Sequence, residues 1–247
     1  MLEALLFLVG IVTGFINVIA GGGSFLTLPL LIFMGLPPTI ANGTNRLGIF
    51  LQSITAVKQF HKLGVFPVRF GIFAAIPATL GSLLGAYWAT IISENSFKKY
   101  LAVLMVVITL ITMYNPIGKF KPKHQNIPAR NRKIVIFIVF FLIGIYGGFI
   151  QAGVGFLILA GMLLTGYDLI VGNAVKTFVT LIFTTFALTI FIISSKVNFT
   201  LGIILGVGNM IGAHLGTTVA VKRGNKFIQY FVTICIIVFA VKLLFFE

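Results

Sequence analysis

The residues of this chain that can do chemistry are cations, amides and glycine clusters set inside apolar sequence. The first group is Gly14-Phe15-Ile16-Asn17-Val18-Ile19-Ala20-Gly21-Gly22-Gly23-Ser24, followed by Ala41-Asn42-Gly43-Thr44-Asn45-Arg46. Each glycine costs a helix about 1 kcal/mol, so three in a row predict a break at Gly21–Gly23. A break leaves the amides of the helix starting near Ser24 without partners, and the positive end of that helix favours an anion. A second group, Gly147-Gly148-Phe149-Ile150-Gln151-Ala152-Gly153-Val154-Gly155, repeats the device and is followed by Asn173 and Lys176. Asn17 and Gln151 stand as amides at comparable places, and Gly153 and Gly155 take the part of the first glycine cluster. Arg46 and Lys176 then offer positive charge to one anion between the two groups. The other reading of these cations is a pair of interfacial anchors with charged ends reaching for water.

The elements that position these residues must lie in lipid. Of 247 residues, 59% are hydrophobic and 9% charged, with mean hydropathy +1.13. A soluble domain carries about 25% charged residues, and four acidic plus eighteen basic side chains cannot coat one of this size. The net charge of +14 would suggest nucleic acid in a soluble protein. Here the basic residues fall in short runs between apolar stretches, which marks membrane topology and excludes a nucleic-acid groove. The start, Met1-Leu2-Glu3, has no basic leader pattern, so the first apolar run is expected to be retained.

A spanning helix needs about 20 apolar residues. Segments approaching that length are Leu2–Ile19, Ile40–Phe60, Val68–Ile92, Tyr100–Tyr114, Lys133–Ile150, Leu169–Ser194, Phe199–Val221 and Phe227–Phe246. Phe25–Leu36 and Phe156–Thr165 follow the glycine clusters and are too short to span, so they are expected as half-helices or re-entrant pieces. Gly35, Asn42, Gly71, Gly81 and Gly85 are each followed about 131 residues later by Gly166, Asn173, Gly202, Gly212 and Gly216. This order-preserving run predicts an all-α bundle of two related halves: a first repeat over 1–115, a basic cytoplasmic linker over 116–132 and a second repeat over 133–247. The linker carries Lys119, Lys121, Lys123, Arg130 and Arg132, and the distribution of basic residues favours inverted over parallel repeats.

An ionisable side chain inside a membrane helix costs at least about 2.5 kcal/mol on the insertion scale, which makes Arg46 and Lys176 functional candidates. His214, five residues after Asn209 in the seventh long segment, is a candidate proton carrier; the alternative is a neutral histidine bonded between helices. Asp168 is a candidate partner for Lys176, or a surface loop contact. The Gly81-Ser82-Leu83-Leu84-Gly85 and Gly212-Ala213-His214-Leu215-Gly216 runs have the small-residue spacing of close helix packing.

Metal-ligand motifs, a Walker loop and a nucleophile elbow do not occur, so neither metal nor cofactor is expected and an enzyme is disfavoured. Cys235 is the single cysteine and has no disulfide partner in the chain.

Gly14, the cluster Gly21-Gly22-Gly23, Pro29 in an apolar run, Gly35 and then Ala41-Asn42-Gly43-Thr44 resemble the sulfite exporter TauE/SafE family of membrane permeases. The resemblance covers nearly the whole chain. In the second half Val154 interrupts the glycines, Ala160 or Gly161 stands near the proline position, and Ala174-Val175 replaces Gly-Thr. The resemblance implies a secondary carrier in the cytoplasmic (inner) membrane for small sulfur-containing anions such as sulfite, sulfoacetate or related sulfonates. The family motif falls on Gly21, Gly22, Gly23, Pro29, Gly43 and Thr44, whereas Asn42, Arg46 and Lys176 come from charge and repeat geometry.

The resulting expectation is a transporter that binds an oxyanion where the broken segments meet and works by alternating access. Its partners are the anion and the lipid bilayer, with a homo-oligomer left open. The competing readings are an anion channel and a membrane scaffold subunit that acts through the basic linker.

Overall fold

The computed structural model describes residues 2–65, 67–113, 129–164 and 167–245, all helix and connecting turns with no strand among them. The helices are α1 Leu2–Ile19, α2 Ser24–Phe33, α3 Pro38–Lys62, α4 Val68–Ile91, α5 Glu94–Met113, α6 Ala129–Phe149, α7 Val154–Leu164, α8 Leu169–Ile193 and α9 Phe199–Phe245. Gly224, at φ 79° and ψ −176°, breaks α9 into two arms, so the two segments expected over 199–246 are present within one kinked element. α5 begins six residues before the apolar stretch that announced it. α6 begins at Ala129, inside the expected linker, whose residues 116–128 lie outside the described residues.

Local chemistry sets the boundaries. Pro38 occupies the first turn of α3, where its missing N–H costs nothing. Asp168 caps α8, its carboxylate accepting from the N–H of Val171 at 2.9 Å. Among the described residues, four helices are long and apolar enough to cross a membrane: Leu2–Ile19, Val68–Ile91, Leu169–Ile193 and the Phe199–Ile228 part of α9. α2 and α7, with 10 and 11 residues, are the two short pieces.

The halves pack crosswise. α1 lies along α9 as α6 lies along α4; α3 packs on α9 as α8 packs on α4; and α3 meets α8 between them. In lipid, helix association comes from close packing and internal hydrogen bonds, because the surrounding tails are as apolar as the side chains. Small residues provide that closeness at both crossings. A Cβ placed on Gly212 would lie 1.9 Å from the Ile11 carbonyl oxygen, and one on Gly81 would lie 2.1 Å from that of Phe141. One apolar cluster around Phe97, Phe156 and Phe191 and another around Phe140 and Phe183 fill the spaces between helices.

Two buried breaks and a polar cavity

Each short helix follows a left-handed glycine. Gly21 has φ 97° and Gly153 has φ 73°, conformations that side-chain-bearing residues rarely adopt. α1 therefore ends at Ile19 and α2 restarts at Ser24; α6 ends at Phe149 and α7 restarts at Val154. The breaks meet. A Cβ built on Gly21 would lie 2.4 Å from the Cα of Gly155, and one on Gly155 would lie 2.4 Å from the Cα of Gly21.

A helix end leaves its last carbonyls without partners, and in lipid these must be answered from within the protein. Here each half answers the other. The Lys176 ammonium donates to the carbonyls of Asn17 at 2.8 Å and Val18 at 2.7 Å, while the Asn173 amide donates to Ile19 at 3.1 Å. Reciprocally, the Arg46 guanidinium donates to the carbonyls of Gly147 at 2.9 Å and Gly148 at 2.5 Å, and the Asn42 amide donates to Phe149 at 2.9 Å. A cation at a helix C-terminus also complements the negative end of the macrodipole. Arg46 lies over the Phe191 ring, 4.7 Å from its centroid, and adds a longer contact to Gln151 Oε1 at 3.4 Å.

This geometry corrects two expectations. Arg46 and Lys176 are 0% and 3% exposed, so neither is an interfacial anchor reaching for water. Asp168 is not the partner of Lys176: its carboxylate caps α8, and the third Lys176 bond goes to Asn173 Oδ1 at 2.6 Å.

A cavity of about 30 Å³ lies where the breaks meet the α3–α8 crossing. From the first break it is lined by Asn17, Gly21 and Ser24, and from the second by Gln151, Val154 and Gly155. α3 adds Ile49, Gln52 and Ser53, and α8 adds Lys176, Thr177 and Thr180. Among the described residues Lys176 is the one charged residue on this wall, and no carboxylate lines it. The amides are held in place: Asn17 donates to Gln52 Oε1 at 3.1 Å and accepts from the Gly23 N–H at 2.7 Å, while Gln151 donates to Thr184 at 2.6 Å. Ser24 and Val154–Gly155, at the starts of α2 and α7, border the same space, where the positive ends of the two helices suit a small anion.

Six of the expected residues thus come together: Asn17, Gly21, Ser24, Gln151, Gly155 and Lys176. The others lie off the wall. Gly22 and Gly23 form the rest of the turn, and a Cβ on Gly23 would lie 2.5 Å from the Thr13 carbonyl oxygen. Gly153 supplies the second turn. Asn42, Arg46 and Asn173 cap the facing helix ends. Gly43 and Thr44 hold the α8–α9 connection: a Cβ on Gly43 would lie 2.0 Å from the Lys196 carbonyl oxygen, and Thr44 Oγ1 accepts from the Asn198 N–H at 2.9 Å. His214 is exposed on α9 and does not reach the cavity, contrary to its expected place inside the bundle.

Sequence reasoning missed Ile49, Gln52, Ser53, Thr177 and Thr180. Their spacing, three and four residues apart on α3 and on α8, is that of one helix face, and polar residues on such a face within a spanning segment were the available signal.

The family model described as Sulfite exporter TauE/SafE matches residues 6–243. The chain is 29% identical over 244 residues to a Probable membrane transporter protein ORF9 of Sinorhizobium sp, covering 98% of this chain and 92% of that one. It is 30% identical over 234 residues to a Probable membrane transporter protein of Haemophilus influenzae, covering 94% and 91%. A Sulfite exporter TauE/SafE family protein 3 of Arabidopsis thaliana is 25% identical over 132 residues, covering 49% and 28%. No solved structure gives a significant match.

Proposed function

The chain belongs to the sulfite exporter TauE/SafE family of membrane transporters, and from that premise we propose that it is a secondary carrier of small sulfur-containing anions in the cytoplasmic membrane. The observation that carries this reading is the placement of a buried cation, Lys176, on the wall of a polar cavity that, among the described residues, no carboxylate lines. Helix starts from both halves face the same space, so hydration lost by a sulfite or sulfonate group is replaced by amides, hydroxyls and one ammonium.

The crosswise packing and reciprocal capping support two related repeats, which the distribution of basic residues favours as inverted, with the anion held at their junction. Rocking of one repeat against the other would open the cavity to each side of the membrane in turn. The residues assigned to the anion are Asn17, Ser24, Gln151 and Lys176 with the backbone of Gly21 and Gly155; Asn42, Asn173 and Arg46 hold the frame. His214, exposed on α9, has no part in this scheme.

Uptake of labelled sulfite by proteoliposomes tests the reading. Saturable uptake that unlabelled sulfite and sulfoacetate suppress is expected. Uptake no faster than in protein-free vesicles, by protein shown to be folded, contradicts it.

A further inference from the structure

Ser53 stands apart from the other hydroxyls of the bundle. It is 0% exposed, lies on the cavity wall, and its Oγ has no hydrogen-bond partner among the described residues. A serine or threonine inside a helix ordinarily donates to the carbonyl four residues earlier. Thr177 does so to Asn173 at 2.7 Å, Thr217 to Ala213 at 2.8 Å and Thr79 to Ala75 at 2.8 Å. The corresponding bond from Ser53 to Ile49 is not made. Two α8 donors on the wall are committed: the three N–H groups of Lys176 have acceptors at 2.6 to 2.8 Å, and Thr177 is back-bonded. Burying a hydroxyl without a partner is destabilising, so its presence at the wall calls for a ligand that satisfies it.

We propose that Ser53 is a substrate-contacting donor, giving the transported oxyanion a hydrogen bond from α3 while α8 supplies the charge of Lys176. This rests on reading the cavity as the anion site. It extends that reading to a residue on the helix that contributes no charge to the wall. Because Ser53 is uncommitted while Lys176 is saturated, Ser53 engages the anion without breaking a bond within the protein.

The test compares Ser53→Ala with Thr13→Val in detergent-solubilised protein and in proteoliposomes. Thr13 is buried away from the cavity, and its hydroxyl donates to Asn209 Oδ1 at 2.8 Å, with the Gly10 carbonyl at 3.1 Å a second acceptor for the same proton. Ser53→Ala is expected to leave the thermal midpoint of ligand-free protein unchanged or raised, to reduce the rise in midpoint caused by sodium sulfite, and to raise KM for sulfite roughly tenfold or more, the worth of a hydrogen bond to a charged group. Thr13→Val is expected to lower the ligand-free midpoint and leave KM in place. A wild-type KM in Ser53→Ala, or a fall in its ligand-free midpoint like that of Thr13→Val, overturns the assignment and makes Ser53 structural. Wild-type protein that sulfite, sulfate and sulfoacetate neither stabilise nor cross with overturns the anion site itself.

Discussion

The side chain of Lys176 ends on the backbone carbonyl of Asn17, 2.8 Å away, so a cation of the second half closes the broken helix of the first. Its other two N–H groups go to Val18 and Asn173, which uses every donor an ammonium has. An anion that bonds to Lys176 must therefore displace one of these acceptors. Occupancy of the cavity is thereby linked to the end of α1, the kind of differential contact through which a ligand shifts a conformational equilibrium.

The two cations then separate by role. Arg46→Lys keeps a charge but loses the two-pronged grip on Gly147 and Gly148, and is expected to cost about 1–3 kcal/mol of stability through an unsatisfied carbonyl while sulfite still stabilises the protein. Lys176→Ala is expected to lower the thermal midpoint and also abolish stabilisation by sulfite. Thermal unfolding of both variants with and without sulfite is the check; equal loss of the sulfite effect in both would place Arg46 in the anion site. Arg46→Ala, which charge reasoning alone would treat as a pure binding mutant, is expected to lose folded protein.

The contact between the breaks makes a sharper stability prediction. Gly21→Ala puts a Cβ 2.4 Å from the Gly155 backbone at φ 97°, whereas Gly35→Ala at φ 93° meets nothing within 4 Å. Gly35→Ala is expected to cost only the backbone strain, about 1–2 kcal/mol. Gly21→Ala adds backbone overlap and is expected to leave little monodisperse protein on size-exclusion chromatography. Comparable recovery of the two variants would mean that the breaks do not touch.

Glu94, at the start of α5 and ahead of its apolar stretch, accepts from the Thr39 N–H at 2.9 Å, from the Thr39 hydroxyl, and from Lys196 at 2.9 Å. Burial pushes its carboxyl up, but the bonds from Thr39 and Lys196 outweigh burial and hold it below the ordinary value of 4.5. The stabilisation is complete above that ordinary value and is lost as pH falls through the lower folded one. The chain has only four acidic residues, so this contact should be visible in an acid titration. Wild-type thermal stability is expected to fall more steeply than that of Glu94→Gln when the pH drops below about 4.5. Parallel curves would show that the contact is not formed.

Much of the bundle was legible because its signals are local. Runs of apolar residues mark the long helices, and Gly21-Gly22-Gly23 marks a break that needs a positive φ. What was hidden depends on partners that leave no trace in composition. Arg46 and Lys176 were recognisable as costly cations, but their acceptors are main-chain carbonyls of the opposite half, and any residue carries a carbonyl. Asn42, Gly43 and Thr44 form a recognisable motif, yet they cap α6 and anchor the α8–α9 connection instead of lining the cavity. The outward turn of His214 was legible in the glycine spacing: Gly212 and Gly216 pack closely on α1, and His214, two residues from each, lies on the opposite face of α9.

The direct test of a carrier is counterflow. Proteoliposomes preloaded with unlabelled sulfite are diluted into a trace of labelled sulfite, and internal label is followed with time. A carrier gives a transient accumulation above the external concentration, expected in wild-type protein and missing in Lys176→Ala. Label that only equilibrates, with no overshoot from folded wild-type protein that conducts sulfite, would contradict a carrier and identify a channel.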